Sequence, residues 1–563
     1  MATVTLNITG MIWFIDNNAA ACTTLAAGCG RVTNPFSSLA AFQALNNGTG
    51  LNPAATDSIF IYTGVGNYTG GTTLLSGQLV IGQGAGASIL TITGLPAPSG
   101  TSQLPATGGT NPTVVNAGGN AIALTNGSTG NTIRGVTIGA TSGDGINGTN
   151  FGTLTLNEMT INTTGRAFTL TTGTLAATIA SVTSSGGANN IALTSIGGTL
   201  TMSGGALSAA ASDAFVVSGG AASITYNGTI ANTTARPVNI ASKTGGTVAF
   251  GGAVSGTSNG ILLSSNTGAT INFTGGLNLS TGANTAFSAT GGGTVNATQN
   301  NTSIVNTLTT TTGKAVNANG VTFGASGATF RSISSSGGTN GISLQSTSGN
   351  FTVSGDGTGF ANGSGGTIST TGGAIGNSPI YELTSSGTLT FTSMNFSIDI
   401  NGYSGPLFDN NAGGTLTVNV IGCTFTGVGP GNVVQNKSLL QFEGGNTGAN
   451  ASNVTVNVQN SFFFNNRTYG MFTGAAGDSI MRVTVNQSGF GTDVNSGAPV
   501  NQPGTTITNA PPFALGITNS SNSNVHYNVT NNTFWGGRGL DGAVYEVSIS
   551  GATTTAASRL DGF

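Results

Sequence analysis

GINGTNFGTLTLNEMTINTTGRAFTLTTGTLAATIASVTSSGGANNIALTSIGGTL, residues 145–200, is a sequence that repeats itself. Ile146, Phe168 and Ile191 each open a short run of alternating apolar and polar residues. Working outward, the series begins at Ile122 and continues through Phe215, Val238 and Ile261, with steps of 22 to 24 residues. Further members follow at Phe287, Val316, Ile342, Ile380, Leu407, Leu439, Met471, Phe513 and Val544, where wider steps point to loops inserted into single repeats. Self-similarity at such a period is the signature of a stacked architecture.

A second series runs in phase, half a repeat later. It pairs a hydroxyl with an aliphatic residue at Thr132-Ile133, Thr153-Leu154, Thr174-Leu175, Thr199-Leu200, Ser223-Ile224, Thr247-Val248, Thr270-Ile271 and Thr294-Val295. Towards the C-terminus the pattern becomes aliphatic-x-apolar-x4-Phe. It reads Leu389/Phe391/Phe396, Val418/Val420/Phe425, Val456/Val458/Phe463, Val483/Val485/Phe490 and Tyr527/Val529/Phe534. Each repeat holds two or three strands with period-2 alternation, joined by Gly/Asn/Ser turns, and leaves no room for a helix. Such a unit cannot bury its own apolar face, so it must stack coil on coil. Parallel connections are strongly right-handed. The expected fold is therefore all-β, a right-handed parallel β-helix of roughly 22–24 residues per coil, over residues 57–563. Regular coils are expected over 115–300 and longer ones over 300–563.

Residues 1–56 read as an opening strand and capping segment. NPFSSLAAFQALNNG (residues 34–48) is the one credible helix, with Ser37 as N-cap, Leu39, Phe42 and Leu45 on one face, and Gly48 at its end. A helix there would cover the exposed edge of the first coil.

Composition narrows the function. Among 563 residues there are 94 glycines, 12 Lys+Arg, 15 Asp+Glu and one histidine, His526. Twelve scattered bases make no nucleic-acid patch, and no apolar run is long enough to span a membrane. Cys22 and Cys29, seven apart in ACTTLAAGCG, could close a local disulfide suited to an oxidising location, or remain two free thiols. Cys423 reads as a small buried residue. The N-terminus lacks the basic region and cleavage site of a signal peptide, and the chain reads as a segment of a larger protein.

The run IWFIDNN, NPFSSLAAFQALN, DSIFIYTGVGNYTGG and LVIGQGAG, between residues 12 and 86, resembles the opening segment of pectin-lyase-like β-helix domains. The repeats that follow resemble those of very large secreted bacterial surface and adhesin-like proteins. The resemblance implies an extracellular, elongated module, a stalk or adhesive part, and fixes no ligand.

Pectin-lyase-like folds also host polysaccharide lyases and glycosidases, whose sites need acids gathered on one face. The best acid pair is Glu382 with Asp409, each two positions after its anchor (Ile380, Leu407), so that neighbouring coils could bring them together. The competing reading is a polar side chain tolerated at a strand end. Arg134, Arg166, Arg236, Lys243 and Lys314 read as solvated surface groups that do not gather beside the acids. His526 should face outward. SGDGTGFANGSGG (residues 354–366) has the look of a calcium repeat, but carries one Asp and no periodic continuation, and reads as an inserted loop. The threonine series is either a flat hydroxyl array for ice or a crystalline glycan, or threonine chosen for strand propensity. The expectation is a non-catalytic extracellular rod, stalk or adhesin segment of a bacterial cell-surface protein, with no metal or cofactor. Its partners would be a surface glycan, the flanking domains of a larger chain, or a second copy meeting an open C-terminal coil near Val544 and Val547. A carbohydrate-active enzyme and a self-assembling fibre module are the alternatives.

Overall fold

The computed structural model describes residues 10–97, 103–370, 377–399, 405–428, 438–464, 469–490, 513–534, 545–550 and 559–562. The chain forms two compact units, residues 1–255 with 266–270, and residues 256–265 with 271–563. Both are stacks of parallel strands, and each coil contributes to three sheets. This is a parallel β-helix. We call the sheets A, B and C. In the first unit, sheet A contains Ile12–Ile15, Ser58–Ile61 and Leu79–Gly82. Sheet B contains Thr113–Asn116 and Thr137–Thr141, and sheet C contains Thr72–Leu74 and Ile122–Leu124. Among the described residues the stack starts at Ile12, since Ile12–Ile15 pairs in parallel with Ser58–Ile61.

The anchor series lies in register along sheet C. In the first unit Ile122 pairs with Ile146, Ile146 with Phe168, Phe168 with Ile191, Ile191 with Phe215 and Phe215 with Val238. In the second unit Ile261, Phe287, Val316, Ile342 and Ile380 follow one another in the same way. All are buried. A strand turns alternate side chains to opposite faces, so every second residue joins an inner ladder that each coil extends.

Beyond Ile380 the anchors depart from register. Leu407 pairs with Tyr381. The ladder runs instead through Leu440, Met471, Leu515 and Tyr545, so Leu439 and Phe513 stand one and two residues out of line. Val544 lies outside the described residues. The phenylalanine pattern keeps register throughout. Phe396, Phe425, Phe463, Phe490 and Phe534 are successive partners in sheet B. Phe425, Phe463 and Phe490 stack with their rings nearly parallel, centroids 4.7 and 4.6 Å apart.

The threonine series is a broken ladder. Thr132 pairs with Thr155 and Thr199 with Ala176, each two residues from the expected partner. A shift of two keeps the hydroxyls on the outer face, because the side-chain period is two. Corners after sheet C need a left-handed residue, and serine or threonine often fills it: Thr172, Ser195 and Ser242 in the first unit, Ser265, Ser346 and Thr384 in the second.

The N-terminal helix is shorter than its sequence suggests, Leu39–Gln43. Ser38 is the N-cap, and its Oγ accepts from Ala41 N at 3.1 Å. Ser37 is drawn away because its Oγ accepts from Cys22 N. Leu39 and Phe42 are buried, whereas Leu45 is only partly so. The first strands are apolar on both faces. Trp13, Ile59 and Val80 fill one face, while Phe14, Phe60 and Ile81 form a second cluster covered by Ala85 and Ile89. This double burial explains the unbroken apolar run SIFI, all four of whose residues are buried.

Candidate functional site

The acids on sheet C of the second unit are placed by the register of three strands, Ile380–Leu383, Leu407–Asn410 and Ser438–Gly444. Glu382 is opposite Phe408, while Asp409 is opposite Leu383 on one side and Glu443 on the other. The structure therefore separates the expected pair. A one-residue displacement puts Glu382 and Asp409 on opposite faces of the sheet.

Glu382 points inward and is 0% exposed. Its Oε1 accepts from Ser385 N at 2.6 Å, and Oε2 has no hydrogen-bond partner. Burial, with a further contribution from Asp409, pushes its carboxyl up to about 8. At neutral pH such a group is mainly a neutral acid. Asp409 faces outward, half-buried, and its Oδ1 accepts from Asn411 N at 3.2 Å. Burial and the neighbouring Glu443 raise its carboxyl above the ordinary range. Glu443 accepts from Asn411 Nδ2 at 3.3 Å and from Gln441 Nε2. The carboxylates that meet on one face are thus Asp409 and Glu443. Glu443 was legible: Phe408-Asp409 and Phe442-Glu443 are the same aromatic-acid pair one coil apart, and aligning the phenylalanines would have aligned the acids.

Two side-by-side carboxyls are the minimum for acid/base work on a glycosidic bond. Here no ion pair to Asp409 or Glu443 is present among the described residues, and no cluster of three or more metal-ligating side chains occurs there.

The basic residues correct the sequence reading. Arg134 binds Glu158 through Nη2 at 2.8 Å and Nε at 2.9 Å, and Glu158 also accepts from Gly86 N. Arg166 donates to Asp144 at 2.7 Å, and Arg236 lies 4.0 Å from Asp213. These three arginines fasten one coil to another. Lys243 is fully buried, its Nζ donating to Ala222 O at 2.8 Å, and burial lowers its amine to about 8. Lys314 is partly buried, and burial lowers its amine as well.

The loop 354–366 closes on itself. Asp356 accepts from Thr358 N and Oγ1 and from Asn362 Nδ2, which hold its carboxyl down at about 2. His526 is half-buried and stands opposite Arg482 in sheet A. Cys423 is buried in a file of small polar residues. Its N–H donates to Ser461 Oγ, Ser461 N to Ser488 Oγ and Ser488 N to Asn532 Oδ1. Cys22 and Cys29 are joined by a disulfide. A carboxylate not singled out in the sequence, Asp57, is buried and accepts from Met11 N, Trp13 Nε1 and Ala54 N. Its only sequence signal is an acid directly before a strand.

No protein family matches the chain, and no match was found among curated proteins or solved structures.

Proposed function

We propose that this chain is a non-catalytic extracellular module, a rod, stalk or adhesin segment of a bacterial cell-surface protein of the pectin-lyase-like kind. The observation that carries the reading is the placement of its acids. Glu382 is locked behind the sheet, Asp409 and Glu443 share a face with no ion-pair partner among the described residues, and Arg134, Arg166 and Arg236 are held in coil-to-coil ion pairs. Support for an oxidising, extracellular setting comes from the Cys22–Cys29 bridge. Adhesion to a surface glycan belongs to the same reading.

A polysaccharide lyase or glycoside hydrolase is the second reading, and one observation favours it. Asp409 and Glu443 are outward neighbours across one strand spacing, and burial, with a further contribution from Glu443, raises the carboxyl of Asp409. An assay for new reducing ends and unsaturated products on acidic and neutral polysaccharides, with and without Ca²⁺, separates the two. The expected result is no product. Product formation abolished by Asp409→Asn or Glu443→Gln establishes the enzyme instead.

A further inference from the structure

Strand Ile12–Ile15 has two edges. One pairs with Ser58–Ile61. The other is masked by a segment of the same chain. Phe14 N donates to Gly30 O at 3.0 Å, Phe36 N donates to Phe14 O at 2.8 Å, and Asp16 N donates to Phe36 O at 2.8 Å. The cover is thus the stretch 30–36, folded by a turn in which Asn34 N donates to Arg31 O and Gly30 N to Asn34 O.

Both ends of that stretch are tied to one covalent bond. Cys29 directly precedes Gly30. Cys22 is fastened beside Phe36, because Ser37 N donates to Cys22 O at 3.4 Å and Cys22 N donates to Ser37 Oγ at 3.3 Å. The Cys22–Cys29 bridge therefore closes a ring around the cover. Gly30 fits only as glycine: it has φ +85°, and a Cβ there would lie 2.6 Å from both the Phe36 and Trp13 rings. Besides the bridge, the cover is held by its three backbone hydrogen bonds to the strand, by Asn34 Nδ2 donating to Ala27 O, and by the buried Phe36, which packs on Trp13 and Phe42 with centroids 6.1 and 5.9 Å apart.

We propose that the Cys22–Cys29 disulfide is a redox latch on the edge of the first coil. Bridged, it holds 30–36 over Ile12–Ile15. Reduced, it releases the cover and leaves Phe14 N, Phe14 O and Asp16 N as an open strand edge. In the reducing step a dithiol passes two electrons and two protons to the bridge. Cys22 and Cys29 become thiols and the dithiol closes to its own disulfide. Both cysteines are buried, at 4% and 2% exposure, so a dithiol reaches the bridge only as the cover opens locally.

The test compares the full chain, the double variant C22S/C29S and G30A by amide hydrogen exchange and sedimentation. Dithiothreitol-treated wild type, with thiol release confirmed, is a fourth arm. The latch predicts faster exchange at Phe14, Asp16 and Phe36 by at least about 100-fold in C22S/C29S, with the amides around Ile146 and Ile191 and the sedimentation of the compact chain unchanged. G30A should show the same exposure with its bridge intact. Unchanged exchange in C22S/C29S and in the reduced chain overturns the proposal. So does loss of protection throughout the first unit, which would make the bridge a global stabiliser instead of a latch.

Discussion

Glu382 and Lys243 are buried ionisable groups with opposite pH signatures. The carboxyl of Glu382 lies near 8 in the folded chain against an ordinary 4.5. The folded chain therefore keeps a proton that the unfolded chain releases. The contribution of Glu382 to stability is fully present below about pH 4.5 and is lost as pH rises through about 8. Glu382→Gln should raise the melting temperature at pH 8 and leave it nearly unchanged at pH 4. Lys243 is depressed to about 8 from 10.5, so its unfolded form binds the extra proton, and stability rises between pH 8 and 10.5. Lys243→Met should stabilise the first unit at pH 7, an effect that fades by pH 10.5; thermal melts across that range check both signs. Ser461 offers a neutral counterpart. Ser461→Ala removes the acceptor of the buried Cys423 N–H and should cost about 1–3 kcal/mol in denaturant unfolding. Cys423→Ser keeps the file polar and should stay within about 1 kcal/mol.

The strand is the scale at which sequence was most legible. Every inner position of the phenylalanine pattern holds its register, because the spacing within each repeat is constant there and the flanking sequence sets the two faces unambiguously. Legibility failed where the spacing stretched. Between Ile380 and Leu407 the true partner of Ile380 is Pro406, a residue that does not look like an anchor, and the one-residue error carried Asp409 to the wrong face. The helix start slipped from Ser37 to Ser38 for a different reason: Ser37 bonds to Cys22, a distant partner that no local rule contains. The threonine series misled because hydroxyls on an outer face are interchangeable at steps of two. That interchangeability has an energetic test. Leu154→Ala or Ile224→Ala opens a cavity in the ladder and should cost about 2–5 kcal/mol, and Phe463→Ala, which breaks the stack of parallel rings, about 3–5 kcal/mol. An outward Thr153→Ala should stay within about 1 kcal/mol. Denaturant melts of the two sets compare them directly; equal losses would mean that the outer face is covered.

For the molecule as a whole, charge is marginal. Only 27 of 563 residues are charged, and in the three described ion pairs every partner but the buried Asp144 is partly exposed. Partly exposed pairs contribute about 0–1 kcal/mol each and are screened by salt. The melting temperature should therefore move little between 0.05 and 1 M NaCl, and the check is a salt series at fixed pH; a large fall would reveal electrostatic support the described residues do not contain. The same scarcity of charge made the candidate site hard to read. With so few acids, spacing from an assumed anchor was the only guide to which of them meet, and it set Asp409 beside Glu382, whereas the sheet register sets it beside Glu443.

The register rule that governs these sheets also bears on heredity. A copying slip that adds or removes two residues at an outward Thr position leaves apolar side chains on the inner face, as the offset from Thr132 to Thr155 already illustrates. A slip of one turns the strand inside out. Recombination that duplicates or removes one whole repeat, such as the stretch from Ile191 to the residue before Phe215, restores every pairing above and below it. A gene for such a chain can change length by whole coils within one generation and still specify a folded product, whereas a single inserted codon inside a strand is selected against at once.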